Sequence, residues 1–115
     1  MFVSDEDEQR WHIELSEEVD EWFQALPTKA KAQAIRALDM LADRGTSLRM
    51  PHSRKLNEEL WELRFRCERV NQRITYTVEP ERCVITLTTF RKQRDNERKE
   101  VARARNVLRR RKGKG

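Results

Sequence analysis

Between residues 60 and 92 the chain alternates apolar and charged side chains with a period of two. A segment patterned in that way buries one face only when it is extended. In Leu60-Trp61-Glu62-Leu63-Arg64-Phe65-Arg66, the side chains of Trp61, Leu63 and Phe65 share one face and Glu62, Arg64 and Arg66 the other. Gln72-Arg73-Ile74-Thr75-Tyr76-Thr77-Val78 repeats the arrangement, setting Ile74, Tyr76 and Val78 against Arg73, Thr75 and Thr77. A third run, Cys83 to Phe90, ends directly in Arg91-Lys92. Three such runs joined by short polar turns predict an antiparallel meander at about 60–67, 71–79 and 83–90. Its polar face carries guanidinium groups, whose planar forks suit phosphate.

Length fixes the scale of the remainder. At 115 residues the chain makes one domain, 1–115, with 37% hydrophobic and 39% charged residues, which describes a small core under a wet surface. The acidic leader at 1–9 and the basic tail at 110–115 are expected to be flexible. No apolar run reaches the roughly 18 residues of a membrane helix, and no basic-then-apolar signal segment opens the chain. Cys67 and Cys83 stand in no metal spacing and form no disulfide framework, so they read as reduced structural thiols. The net charge of +5 hides an asymmetry: residues 1–21 carry nine acids and one base, a net of −8, leaving +13 on 22–115. A basic body of this kind points to a polyanionic partner, and with the strand arginines to nucleic acid.

Upstream, Trp11-His12-Ile13-Glu14-Leu15 alternates as a short first strand. Ser16 is the expected N-cap of a helix with Glu17 and Glu18 in its first turn and Val19, Trp22, Phe23 and Leu26 as its apolar stripe. Pro27 breaks that helix. Ala34, Ile35, Leu38, Leu41 and Ala42 carry a second stripe, ending at Gly45. Residues 46–57 read as a loop, and a final helix from about Asp95 places Val101, Ala104 and Leu108 on one face. The expected order is β-α-α-β-β-β-α: an α+β domain with a helical hairpin on a mostly antiparallel four-stranded sheet.

Several of these segments together carry a family resemblance. Lys55-Leu56, Leu60-Trp61-Glu62-Leu63-Arg64, Arg73-Ile74-Thr75-Tyr76, Leu87 through Phe90-Arg91-Lys92, and Glu100 with Ala102 to Arg105 follow the order and spacing of the RelE/ParE superfamily. Over roughly residues 10–108 the chain resembles its HigB-like, phage-derived branch. The resemblance implies the RelE-like fold and the toxin of a type II toxin–antitoxin pair. Such a toxin cleaves mRNA at the ribosome, inhibits translation and arrests growth in the cytoplasm. It also implies a HigA-like helix-turn-helix antitoxin as partner, through which alone operator DNA is reached, and no membrane, small-molecule ligand or cofactor. One departure stands out. RelE and several HigB relatives keep an active-site tyrosine or histidine near the C-terminus, whereas this chain has neither beyond Lys92.

The chemistry can be weighed separately. Attack of a ribose 2′-hydroxyl on the adjacent phosphate needs a proton acceptor, a stabiliser of the phosphorane and a donor to the leaving 5′-oxygen. The sequence offers no carboxylate cluster, no His/Cys metal set and no Gly-rich phosphate loop, so metal-free arginine and lysine chemistry is what it can assemble. Arg64 and Arg73 are the phosphate clamp candidates, with a salt bridge from Arg64 to Glu62 or Glu68 as the structural alternative. Lys92 could donate to the leaving oxygen. Lys55, if crowded by Arg64 and Arg73, could act as proton acceptor. Arg54, Arg66, Arg91 and His52 are the RNA-binding candidates, with His52 also able to shuttle a proton. Two other readings of the basic face remain open: a ParE-like toxin that poisons gyrase, and a non-catalytic nucleic-acid or ribosome-binding module.

Overall fold

The computed structural model describes residues 10–113; the leader at 1–9 and Lys114-Gly115 lie outside the described residues. Strand β1 (His12–Glu14) leads into helices α1 (Glu17–Gln24) and α2 (Thr28–Arg44) and a 3-10 turn (Gly45–Ser47). Strands β2 (Ser53–Asn57), β3 (Leu60–Cys67), β4 (Val70–Glu79) and β5 (Cys83–Arg91) follow, and helix α3 (Glu97–Gly113) closes the order. The sheet runs β1-β5-β4-β3-β2, with β1 parallel to β5 and the other neighbours antiparallel. The α+β expectation holds with one strand added: the sheet has five strands, because Ser53–Asn57 pairs with β3 instead of forming a loop. That strand escapes pattern reading because it is an edge. Arg54 and Lys55 are exposed, Leu56 is its only apolar residue, and its register breaks between Lys55 and Asn57.

Local chemistry sets the helix ends. The Ser16 hydroxyl accepts from the Val19 N–H at 3.2 Å and donates to the Leu87 carbonyl at 2.9 Å, so one side chain caps α1 and ties it to β5. Pro27 precedes the first turn of α2 in extended conformation. Gly45 ends α2 at φ +50°, where an added Cβ would lie 2.0 Å from the Trp11 ring. Only glycine fits there. The β3–β4 hairpin closes through Glu68-Arg69, both at positive φ, the backbone of a two-residue turn built without glycine.

Two cores lie on opposite faces of the sheet. Beneath α1 and α2, Val19, Ala37, Leu41, Leu63, Ile74, Tyr76 and Val84 pack together. Full burial of each large aliphatic residue there contributes about 1.5–3 kcal/mol. The α2 stripe is rotated from the expected one: Ala30, Ala34, Ala37 and Leu41 face the sheet and Ile35 faces out. On the other face α3 covers Leu60, Ile85 and Leu87 with Ala104 and Leu108. Glu18 fastens α3 to this body, receiving Arg103 through Nη1 at 2.6 Å and Nη2 at 3.0 Å and the Thr89 N–H at 2.8 Å. The basic tail is partly helix. Arg111 pairs with Glu14 and Glu79, both at 3.1 Å, and Lys112 pairs with Glu59, so 110–113 forms the last turn of α3.

Candidate active site

The alternation of β3 and β4 puts their polar residues on the α3 face, and the register stacks them into cross-strand rows. In the first row Arg54 of β2 lies opposite Glu62 of β3, and Glu62 opposite Thr75 of β4. In the second, Arg64 lies opposite Arg73 and Arg73 opposite Phe90, while the Arg64 N–H donates to the His52 carbonyl at 2.8 Å. In the third, Arg66 lies opposite Asn71, whose carbonyl accepts from the Lys92 N–H at 2.7 Å. Rows two residues apart along a strand are separated by about 6.8 Å. Arg64 and Arg73 are therefore direct cross-strand neighbours, with Lys92 and Arg66 one row further on.

The cluster is unusual in how it is buried. Glu62 is 1% exposed and Arg73 7%, while Arg64 keeps partial access to solvent. Arg73 Nε lies 3.4 Å from Glu62 Oε1 and Arg64 Nε 3.7 Å from the same oxygen. Neither approach has hydrogen-bond geometry. Among the described residues, the buried side-chain polar atoms without a hydrogen-bond partner are Glu62 Oε1, Glu62 Oε2 and Arg64 Nε, all in this one place. Native proteins leave few such atoms, so three in one place single the cluster out. Burial pushes the Glu62 carboxyl above its ordinary value, and Arg73 only partly pulls it back. Burial, reinforced by the Arg64 charge, likewise weakens the hold of Arg73 on its proton.

The remaining candidates divide between the two faces. Arg54 is exposed and pairs with Glu97 at the start of α3 at 2.8 Å. With Arg98 and Arg105 it lines a groove of about 370 Å³ between β2 and α3. Lys55 itself lies opposite Trp61, with its Nζ 5.5 Å from that ring, on the α2 side of the sheet. The expected crowding of Lys55 by Arg64 and Arg73 therefore does not occur: alternation along β2 sends neighbouring side chains to opposite faces. Arg91 lies opposite Gln72 and lines a cavity with Trp22 and Leu26, also on the α2 side, away from Lys92. The Lys92 amine donates to the Gln93 carbonyl at 3.2 Å. His52 is exposed just before β2. Tyr76 is core, its hydroxyl 2.6 Å from the Ser53 hydroxyl.

Glu62 is the site residue that the sequence reading treated only as a salt-bridge partner. It is the one acid on the polar face of β3, where it alternates with Arg64 and Arg66. Among the described residues no three His, Cys, Asp or Glu side chains cluster as metal ligands, and no helix is long and apolar enough to cross a membrane.

The chain belongs to the Gp49-like family of phage-derived proteins (DUF891), whose model matches residues 21–109. Its fold is that of the RelE toxins. A free-state structure of Escherichia coli toxin RelE carrying two arginine-to-alanine substitutions superposes with a TM-score of 0.60 at 14% identity, covering 88% of this chain and 97% of that one. The archaeal RelE–RelB complex from Pyrococcus horikoshii superposes with a TM-score of 0.56 at 18% identity, covering 74% and 98%. No curated protein matches the chain.

Proposed function

We propose that this protein is the toxin of a type II toxin–antitoxin pair, an endoribonuclease of the HigB-like branch that cuts mRNA on the ribosome. The observation that carries this reading is the Arg64–Arg73 row: two guanidinium groups on adjacent strands, directly opposed, beside a buried carboxylate whose oxygens accept no hydrogen bond. On this reading the two arginines hold the scissile phosphate and stabilise the phosphorane as the 2′-hydroxyl attacks, without a metal or cofactor. Lys92 and His52 stand on either side of the row and carry the protons. Arg54 and Arg66 extend the basic face along the RNA backbone. Lys55 and Arg91, on the α2 side, touch RNA or ribosome outside the reacting centre.

Family membership and the RelE fold support the toxin reading, and the archaeal relative was solved with RelB bound. By analogy the partner here is a small antitoxin of the HigA-like helix-turn-helix type, which covers the basic face and alone contacts operator DNA. The strong positive charge of 22–115 makes an acidic segment of that partner the natural cover.

Controlled induction of the chain in a bacterial host tests the proposal. The expected result is rapid translation arrest with mRNA cut inside reading frames, relieved by Arg64→Ala. An SOS response with filamentation and intact mRNA would assign the chain to the gyrase-poisoning class instead. Normal growth at high expression would leave a non-catalytic binding module.

A further inference from the structure

A buried carboxylate that has no hydrogen-bond donors and touches both arginines of a phosphate clamp partly cancels the charge the clamp needs. Glu62 accepts no hydrogen bond on either oxygen, so only nearby positive charge, closest at Arg73 (3.4 Å) and Arg64 (3.7 Å), favours its ionised form. We propose that Glu62 sets the charge of the arginine pair: ionised, it leaves the three residues with one net positive charge, and on binding a proton as an anion docks it leaves two. This rests on reading the Arg64–Arg73 row as a phosphate site.

The electrostatics of each packed element support the assignment. From β2, Arg54 lies opposite Glu62, its charge engaged by Glu97 of α3, which itself repels Glu62. From β3 and β4 come Arg64 and Arg73, and from β5 the uncharged Thr88 and Phe90. His52 and Lys92 flank the arginine row and are not in the Glu62 row. A phosphate reaching the outer edges of the two guanidinium groups competes with Glu62 for the same positive charge, and two anions so close to buried groups repel strongly. Neutralising Glu62 is the cheapest relief, because burial already pushes its carboxyl up. Linkage then makes the effect reciprocal. Whatever factor protonation adds to anion affinity, a bound anion adds to the proton affinity of Glu62.

The probe is a short oligonucleotide without 2′-hydroxyls, which binds as a polyanion and cannot be cut by 2′-attack. Its affinity for the folded chain is measured from pH 5 to pH 8 for wild type and Glu62→Gln, with carboxyl NMR of Glu62 in wild type alone and with probe. The expected wild-type affinity falls as pH rises through the Glu62 titration, at up to about tenfold per pH unit for one linked proton. Glu62→Gln should keep the tight, low-pH affinity throughout and lose that component, while any histidine contribution persists in both. The Glu62 midpoint should move up when probe is added. Equal pH dependence in the two proteins, or a midpoint that the probe does not move, would overturn the proposal, and the NMR titration decides the matter even if Glu62→Gln fails to fold. Failure of folded wild type to bind the probe at any pH would also overturn it. Linked binding by a protein that leaves mRNA intact would retain the charge-setting role and remove the nuclease.

Discussion

Replacing Arg73 by alanine should cost stability before it costs activity, and the loss should titrate. The side chain is 9% exposed and is the nearer of the two cations to Glu62, so its removal strands a buried carboxylate. The electrostatic part has a ceiling, because a stranded carboxylate takes up a proton instead of remaining charged. From the ordinary value of 4.5, holding Glu62 protonated at pH 7 costs 1.36 kcal/mol over each of 2.5 pH units, about 3.4 kcal/mol. Wild type already bears part of that, since its Glu62 is itself raised. The sign follows directly. A carboxyl raised in the folded state destabilises above its folded pKa, and the cost disappears as pH falls toward the unfolded value. The electrostatic part of the Arg73→Ala deficit should therefore stay below about 3.4 kcal/mol at pH 7, each kcal/mol a Tm drop of roughly 3–6 °C in a domain of this size, and fall below about 0.7 kcal/mol at pH 5. Adding Glu62→Gln to Arg73→Ala should restore most of the neutral-pH loss, and Glu62→Gln alone should raise Tm at pH 7. Thermal and urea unfolding at the two pH values check all four proteins. A deficit that is equal at pH 5 and pH 7, or a double variant no more stable than Arg73→Ala, would refute this account of the cluster.

Arg64 is partly exposed and further from Glu62, so Arg64→Ala should leave the fold intact and remove about 2–4 kcal/mol of transition-state stabilisation. That is a 30- to 1000-fold slower cleavage, read by single-turnover assay with circular dichroism as the folding control, and Arg64→Lys should recover only part of it. Lys55→Ala, on the far side of the sheet over Trp61, should slow cleavage less than tenfold in the same assay, because it lies outside the reacting centre. In the β3–β4 turn, Glu68→Asn with Arg69→Gly should raise stability by about 1 kcal/mol in urea unfolding, because both positions hold positive φ without glycine.

The parts of the fold that buried a face were legible in the sequence. Strands β3, β4 and β5 and the α1 stripe announce themselves because one side of each is apolar at the right period, and Ser16 and Gly45 mark helix ends by their own chemistry. Strand β2 was not legible, since an edge strand buries too little to need a pattern and both its charges, Arg54 and Lys55, are exposed. The same two-residue period foretold that Arg64 and Arg73 share a face, but the register that sets them directly opposite one another is a tertiary fact. Lys55 was misplaced because face assignment in a strand cannot be made where no strand is recognised. Glu62 passed as an ordinary salt-bridge partner because the burial of its carboxylate, 1% exposed beside Arg73 and Arg64, depends on tertiary packing that the alternation of β3 does not carry.

The central claim, that the Arg64–Arg73 row cuts RNA by 2′-hydroxyl attack, is tested most directly by the chemistry of the cut ends. Purified wild type and folded Arg64→Ala are each added to mRNA on translating ribosomes, and the new termini are mapped and typed. The account predicts cuts within codons that bear a 2′,3′-cyclic phosphate and a 5′-hydroxyl for wild type, and almost none for Arg64→Ala. Intact mRNA with wild type, 3′-hydroxyl termini, or undiminished cutting by folded Arg64→Ala would contradict it.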